Sequence, residues 1–105
     1  MNRAVEIFSA VPKIYNCAQS VAAAFGEDAL TAELRDCGGG RAPEGRCGAL
    51  HAALQLIPGS SRTAAAAEFV AAAGSERCRD LKGMTPPFPC AECVRIAAEL
   101  VEKYR

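Results

Sequence analysis

Residues 46–59 read RCGALHAALQLIPG, and their apolar side chains recur at the spacing of one face of an α-helix. That face carries Cys47, Leu50, His51, Leu54 and Ile57. Pro58 and Gly59 end the helix, because proline cannot continue the backbone hydrogen bonding and glycine favours a turn. The stretch therefore predicts a helix over about residues 46–57, with Cys47 in its first turn at the inward edge.

The sequence on both sides of this helix is also rich in alanine and helical in its spacing. Asn2 can cap a first short helix, which Pro12 interrupts. Glycine and proline delimit further helices over about residues 15–25, 27–38, 60–74, 78–81 and 89–103, and they make residues 38–45 and 82–88 irregular. We expect a single domain over residues 1–105, an all-α bundle of about five to seven helices with no sheet.

Composition excludes several classes of partner. The 105 residues carry twelve basic and twelve acidic side chains, so no net positive charge attracts nucleic acid or an anionic membrane. Glu6, Pro12 and Lys13 interrupt the N-terminal apolar residues, so we expect neither a signal peptide nor a membrane span. The predicted location is the cytoplasm, and a homo-oligomer is compatible with the sequence.

Six cysteines are many for a cytoplasmic chain of this length, because thiols there are kept reduced and clusters more often bind metal or react. Cys17, Cys47 and Cys90 fall on inward helix faces, and Cys78 falls in a short turn before the proline segment. Burial as small apolar side chains would also explain such positions. We nevertheless expect Cys17, Cys47, Cys78 and Cys90 to converge on one interior site.

Three further residues are secondary candidates. Cys90 and Cys93 form a CxxC pair, whose sulfurs lie near each other on a helix and suit a shared metal or a dithiol. Cys93 is expected toward the side of the apolar stripe, and Cys37 lies beside a glycine loop, so both are expected to matter less. His51 could serve as a metal ligand or a base, or as a hydrogen-bonded residue at the edge of the core.

These segments, in their order, resemble a bacterial and archaeal family to which a redox role is ascribed and which is named for its pattern, C_GCAxxG_C_C. The resemblance covers roughly residues 4–102. Three departures stand out: Ala52 occupies the final glycine position of the motif, Cys37 stands where an aromatic residue is expected, and Cys93 is additional. The matching segments are Asn16–Val21, Gly38–Gly40, Cys47–Ala52, Cys78–Leu81 and Cys90–Glu99.

The resemblance implies a redox role in which Cys17, Cys47, Cys78 and Cys90 are the site residues. Similar domains fused to cytochromes imply an iron–sulfur cluster. The first hypothesis is therefore an electron-transfer protein that holds such a cluster through four thiolates and serves an unidentified redox partner protein. The alternatives are a metal-free thiol–disulfide protein, with pairs such as Cys90 and Cys93, and a structural, zinc-stabilised or metal-free helical adaptor.

Overall fold

Seven α-helices make up most of the described chain in the computed structural model, which describes residues 3–10, 14–37 and 42–105. These ranges contain no strand or sheet, and one isolated bridge pairs Arg46 with Arg77. The prediction of an all-α bundle of five to seven helices is confirmed. The helices are α1 (Arg3–Phe8), α2 (Cys17–Ala24), α3 (Asp28–Glu33), α4 (Gly48–Leu56), α5 (Arg62–Ala73), α6 (Cys78–Lys82) and α7 (Cys90–Tyr104).

The helix ends follow the glycine and proline signals closely. Gly74 ends α5 with a φ of 103°, and Gly26 follows α2 with a φ of 73°, a backbone region that other residues rarely adopt. After α3 the chain continues as a 3₁₀ turn at Leu34–Asp36. The predicted cap Asn2, the predicted helix end Pro12 and the glycine loop at Gly38–Gly40 lie outside the described residues.

The core is built around α2, α4 and α7, which contact one another extensively. Small side chains allow these three helices to approach one another closely, since Ala18 of α2, Ala49 of α4 and Ala97 of α7 are fully buried. Ala52, which replaces the glycine of the family motif, is also fully buried, so this position accepts a methyl group within the packed core.

Helix α7 is amphipathic, and its buried face is wider than predicted. Its outer face carries Arg95, which pairs with Glu92 at 3.0 Å and with Glu99 at 2.7 Å. Its inner face includes Cys93, which is only 3 % exposed. The expectation that Cys93 lies toward the side of the stripe is wrong, because α1, α2, α4 and α5 all pack against α7 and cover more of it than one stripe.

Within the described ranges, none of the helices combines the length and the apolar composition that a membrane crossing requires.

Candidate functional site: a cavity lined by cysteines

Five of the six cysteines line one cavity of about 30 Å³, which we call the cysteine cavity. It includes all four cysteines that the sequence expected to converge. The fifth is Cys93, which was expected to matter less than these four. Leu81, Lys82, Phe88 and Gly48 complete the lining, and the five cysteines are Cys17, Cys47, Cys78, Cys90 and Cys93.

Four helices begin at the cysteine cavity. Cys17, Cys78 and Cys90 are the first residues of α2, α6 and α7, and Cys47 is the N-cap of α4. The first backbone N–H groups of a helix have no partner inside the helix and carry partial positive charge, which favours thiolate over thiol. The sequence predicted such positions for Cys47 and Cys90 and a short helix that begins at Cys78; the structure adds Cys17.

Backbone hydrogen bonds between distant segments bring these helix starts together. The N–H of Cys47 donates to the carbonyl of Glu76 at 2.7 Å, directly before α6. The N–H of Phe88 donates to the carbonyl of Leu81 at 2.9 Å, which joins the end of α6 to the segment that enters α7. The starts of α4, α6 and α7 are thus connected through the main chain.

Asn16 fixes the start of α2. Its Oδ1 accepts the N–H of Gln19 at 2.7 Å, and Oε1 of Gln19 accepts the N–H of Asn16 at 3.2 Å, which completes a capping box. Its Nδ2 donates to the carbonyls of Leu34 and Arg35 at 3.2 and 2.9 Å. Cys17, the next residue, is therefore held at the cavity by a cap that also joins α2 to the turn after α3.

Cys47 and Cys93 both line the cavity, and a side-chain hydrogen bond between them is the largest cause of the pKa shift of each. The Cys93 thiol donates a hydrogen bond to the sulfur of Cys47; this bond, helped by the backbone amides of Leu50 and Ala49, lowers the pKa of Cys47 to about 7 against the opposing effect of burial. The same hydrogen bond and burial raise the pKa of Cys93. Of the two side chains, Cys47 is therefore the one that ionises more readily.

Two other cavity thiols, Cys17 and Cys78, resist ionisation. Burial, with the nearby sulfurs of Cys47 and Cys90, raises the pKa of Cys17 to about 11. Burial also raises the pKa of Cys78, although the exposed Lys82 partly opposes it. Without a bound cation, therefore, Cys47 ionises more readily than Cys17 and Cys78.

Cys37 and His51 do not line the cavity. Cys37 is half-buried, and its carbonyl lies behind Gly48. His51 is half-buried on α4, where burial and the charge of Arg46 lower its pKa. The structure gives no support to either residue as a ligand at the cysteine cavity.

The residues of the cavity fit a thiophilic metal in their chemistry but not in their present arrangement. Thiolates are the preferred ligands of iron–sulfur clusters and of structural zinc. Within the described ranges, however, no group of three or more His, Cys, Asp or Glu side chains is arranged to hold a metal ion. The cavity measures only about 30 Å³, so a cluster would require the cysteine side chains to turn outward around it.

Comparison of the chain with protein-family models, with curated proteins and with solved structures gives no significant match. The resemblance to the C_GCAxxG_C_C family therefore stays an expectation from the sequence.

Proposed function

We propose that this chain is a redox protein whose working group is the cysteine cavity. The observation that carries the proposal is the gathering of five cysteines, from four helix starts and the first turn of α7, around one small interior space. Cysteine as a small apolar core residue explains one buried thiol. It does not explain five thiols facing a common cavity while the sixth, Cys37, lies outside it.

An iron–sulfur cluster bound by Cys17, Cys47, Cys78 and Cys90 is the first candidate for the working group, with Cys93 as a fifth thiol beside it. The raised pKa values of Cys17 and Cys78 indicate that these thiols need a cation to ionise together. A cluster would supply that compensation and the capacity to take up and release one electron. The helix starts supply partial positive charge toward an anionic thiolate cluster.

A metal-free thiol–disulfide protein is the second candidate. The side-chain hydrogen bond between Cys93 and Cys47 favours it, because this bond lowers the pKa of Cys47 and raises that of Cys93, so that one thiol of the pair ionises more readily than the other. In either form we propose a cytoplasmic protein that exchanges electrons with a protein partner, since free cysteines in this number suit a reducing compartment.

The experiment is production and purification of the chain without oxygen, followed by iron, acid-labile sulfide and zinc analysis and a visible spectrum. The cluster proposal expects iron, sulfide and visible absorption. These should persist in Cys37→Ser, the matched control outside the cavity, and should be lost in Cys17→Ser and in Cys47→Ser. A colourless chain without iron contradicts the cluster.

Three other results would distinguish the alternative functions. Zinc without iron would indicate a structural metal site and contradict a redox role. A metal-free chain that loses and regains two thiols in a cycle of oxidation and reduction would support the second candidate. A metal-free chain whose thiols show no such cycle would contradict the redox proposal as a whole.

A further inference from the structure

A groove of about 500 Å³ lies between α4 and α5, and none of its lining residues belongs to the cysteine cavity. This volume is within the range of about 300–1,000 Å³ that is typical of small-molecule sites. Apolar side chains of both helices, among them Leu54, Ala66 and Val70, form one part of its wall. Arg46 and Arg62 form another part, and we call the space the arginine groove. It combines an apolar surface with two cationic groups.

Arg62 is anchored to the end of α4. Its Nε donates to the carbonyl of Leu54 at 2.6 Å and to that of Ile57 at 3.3 Å. Within the described ranges Arg62 forms no ion pair with a carboxylate. Because the anchor uses only Nε, the two terminal nitrogens of the guanidinium remain for an anion. Thr63 and Gln55 add a hydroxyl and an amide to the wall of the groove.

Arg46 has an unused donor. Its Nη2 pairs with Oε1 of Glu76 at 3.3 Å, which is longer than the roughly 2.7–2.9 Å of a strong charged hydrogen bond. Its Nε is the one buried side-chain polar atom of the described residues that has no hydrogen-bond partner. A buried donor without a partner is costly, and native structures satisfy most such groups with protein, water or a bound ion. A carboxylate held by Nε and a terminal nitrogen would satisfy Arg46 in the bidentate geometry that arginine favours.

We propose that the arginine groove binds a small organic carboxylate with a short apolar chain. Two arginines against the single carboxylate of Glu76 give the wall a net positive charge, which attracts the anionic group. The apolar side chains of α4 and α5 suit the hydrocarbon part of the ligand. Neither arginine lines the cysteine cavity, so the groove would bind its ligand whatever group the cavity holds.

The test is a titration of the reduced, full-length chain with hexanoate, followed by NMR of the backbone amides. Hexanamide, which has the same chain without the charge, and inorganic phosphate, an oxyanion without a chain, are the reference compounds. We expect saturable shifts with hexanoate at amides of the groove, such as those of Leu54 and Ala66. Both reference compounds should bind at least about tenfold more weakly, since each lacks one of the two interactions.

Four variants assign the binding to the arginines. Arg46→Gln and Arg62→Gln should each weaken hexanoate binding by about tenfold, because each removes a charged hydrogen-bond donor. Arg35→Gln is the matched control, since Arg35 is exposed and lies outside the groove. Glu76→Gln should instead strengthen binding, because it removes the nearby negative charge and releases Arg46 from its ion pair. A variant that fails to fold could not produce such a gain.

Hexanoate shifts that do not saturate, or equal binding of hexanoate and hexanamide, would overturn the proposal. Phosphate that binds as tightly as hexanoate would also overturn it, because the apolar chain would then have no role. Unchanged affinity in Glu76→Gln would contradict the part assigned to Arg46. The unmodified chain and this variant decide the matter whether or not the arginine variants fold.

Discussion

Gly48 lies so close to Cys37 that a side-chain carbon built on Gly48 would stand 2.5 Å from the Cys37 carbonyl oxygen. The same carbon would come within 3.0 Å of the Cys17 sulfur. We therefore predict that Gly48→Ala lowers the free energy of unfolding by about 1–3 kcal/mol, because the obstacle is backbone and cannot move aside cheaply. The measurement is unfolding by denaturant in the reduced, metal-free state.

Gly59→Ala is the matched control for this prediction. Nothing lies within 4 Å of the carbon that it would add, and Gly59 has no positive φ. Alanine should leave stability unchanged or raise it slightly there, since it restricts the unfolded chain. Equal stability of the two variants would show that Gly48 and the Cys37 carbonyl do not approach each other as closely as described.

The capping box of Asn16 gives a second prediction. Asn16→Ala should cost about 1 kcal/mol for the lost cap, and further stability for its hydrogen bonds to the carbonyls of Leu34 and Arg35. Ser61→Ala is the control, because Ser61 occupies the N-cap of α5 without a side-chain capping bond. Thermal unfolding should show a clearly larger loss of stability in Asn16→Ala than in Ser61→Ala. An equal loss of stability in both variants would refute the positioning role of Asn16.

A third prediction concerns the titration of Cys47. In the reduced, metal-free chain, the thiolate absorbance that disappears in Cys47→Ser should develop around pH 7. Cys93→Ala should move this titration toward the ordinary thiol value of 9.0, because it removes the largest cause of the lowered pKa. Cys37→Ala should leave it in place. A titration of Cys47 that does not respond to loss of Cys93 would contradict the contact between the two thiols.

The lowered pKa of Cys47 also makes stability depend on pH. The folded chain releases this proton at about pH 7, whereas the unfolded chain retains it until about pH 9. Between these values the unfolded state binds more protons, so the contribution of Cys47 to the free energy of unfolding should rise with pH. It is present above pH 9 and is lost as the pH falls through 7. Denaturant unfolding of the chain and of Cys47→Ser at several pH values measures the difference.

The sequence predicted those features of the fold that depend on local chemistry. Gly26 and Gly74 mark helix ends because both adopt a positive φ, and the apolar spacing of residues 46–57 places Cys47 at the start of α4. The sequence missed the place of Cys93, since how much of α7 is covered depends on which helices pack around it. The sequence feature that pointed to Cys93 is the CxxC pair, because its second cysteine shares a helix turn with Cys90.

The pairing of Cys47 with Glu76 could not have been predicted. It joins two loops that are far apart along the chain, and a contact of this kind depends on the packing of the whole bundle. Yet this hydrogen bond brings the start of α4 beside that of α6, and thereby Cys47 and Cys78 to one cavity. The convergence of four cysteines was inferred from the helix faces of three of them and from the order of the family pattern, whereas the contacts that produce it are visible only in the structure.

The central claim is that the five cavity cysteines act as one site. Titration of the reduced, metal-free chain with Co²⁺ tests this claim most directly. This ion takes tetrahedral thiolate sites as Zn²⁺ does, and thiolate coordination gives it intense visible and near-ultraviolet absorption. We predict binding of about one Co²⁺ per chain with thiolate absorption, unchanged in Cys37→Ser and strongly weakened in Cys47→Ser and Cys90→Ser. Absence of thiolate absorption, or an equal loss in Cys37→Ser, would contradict the account.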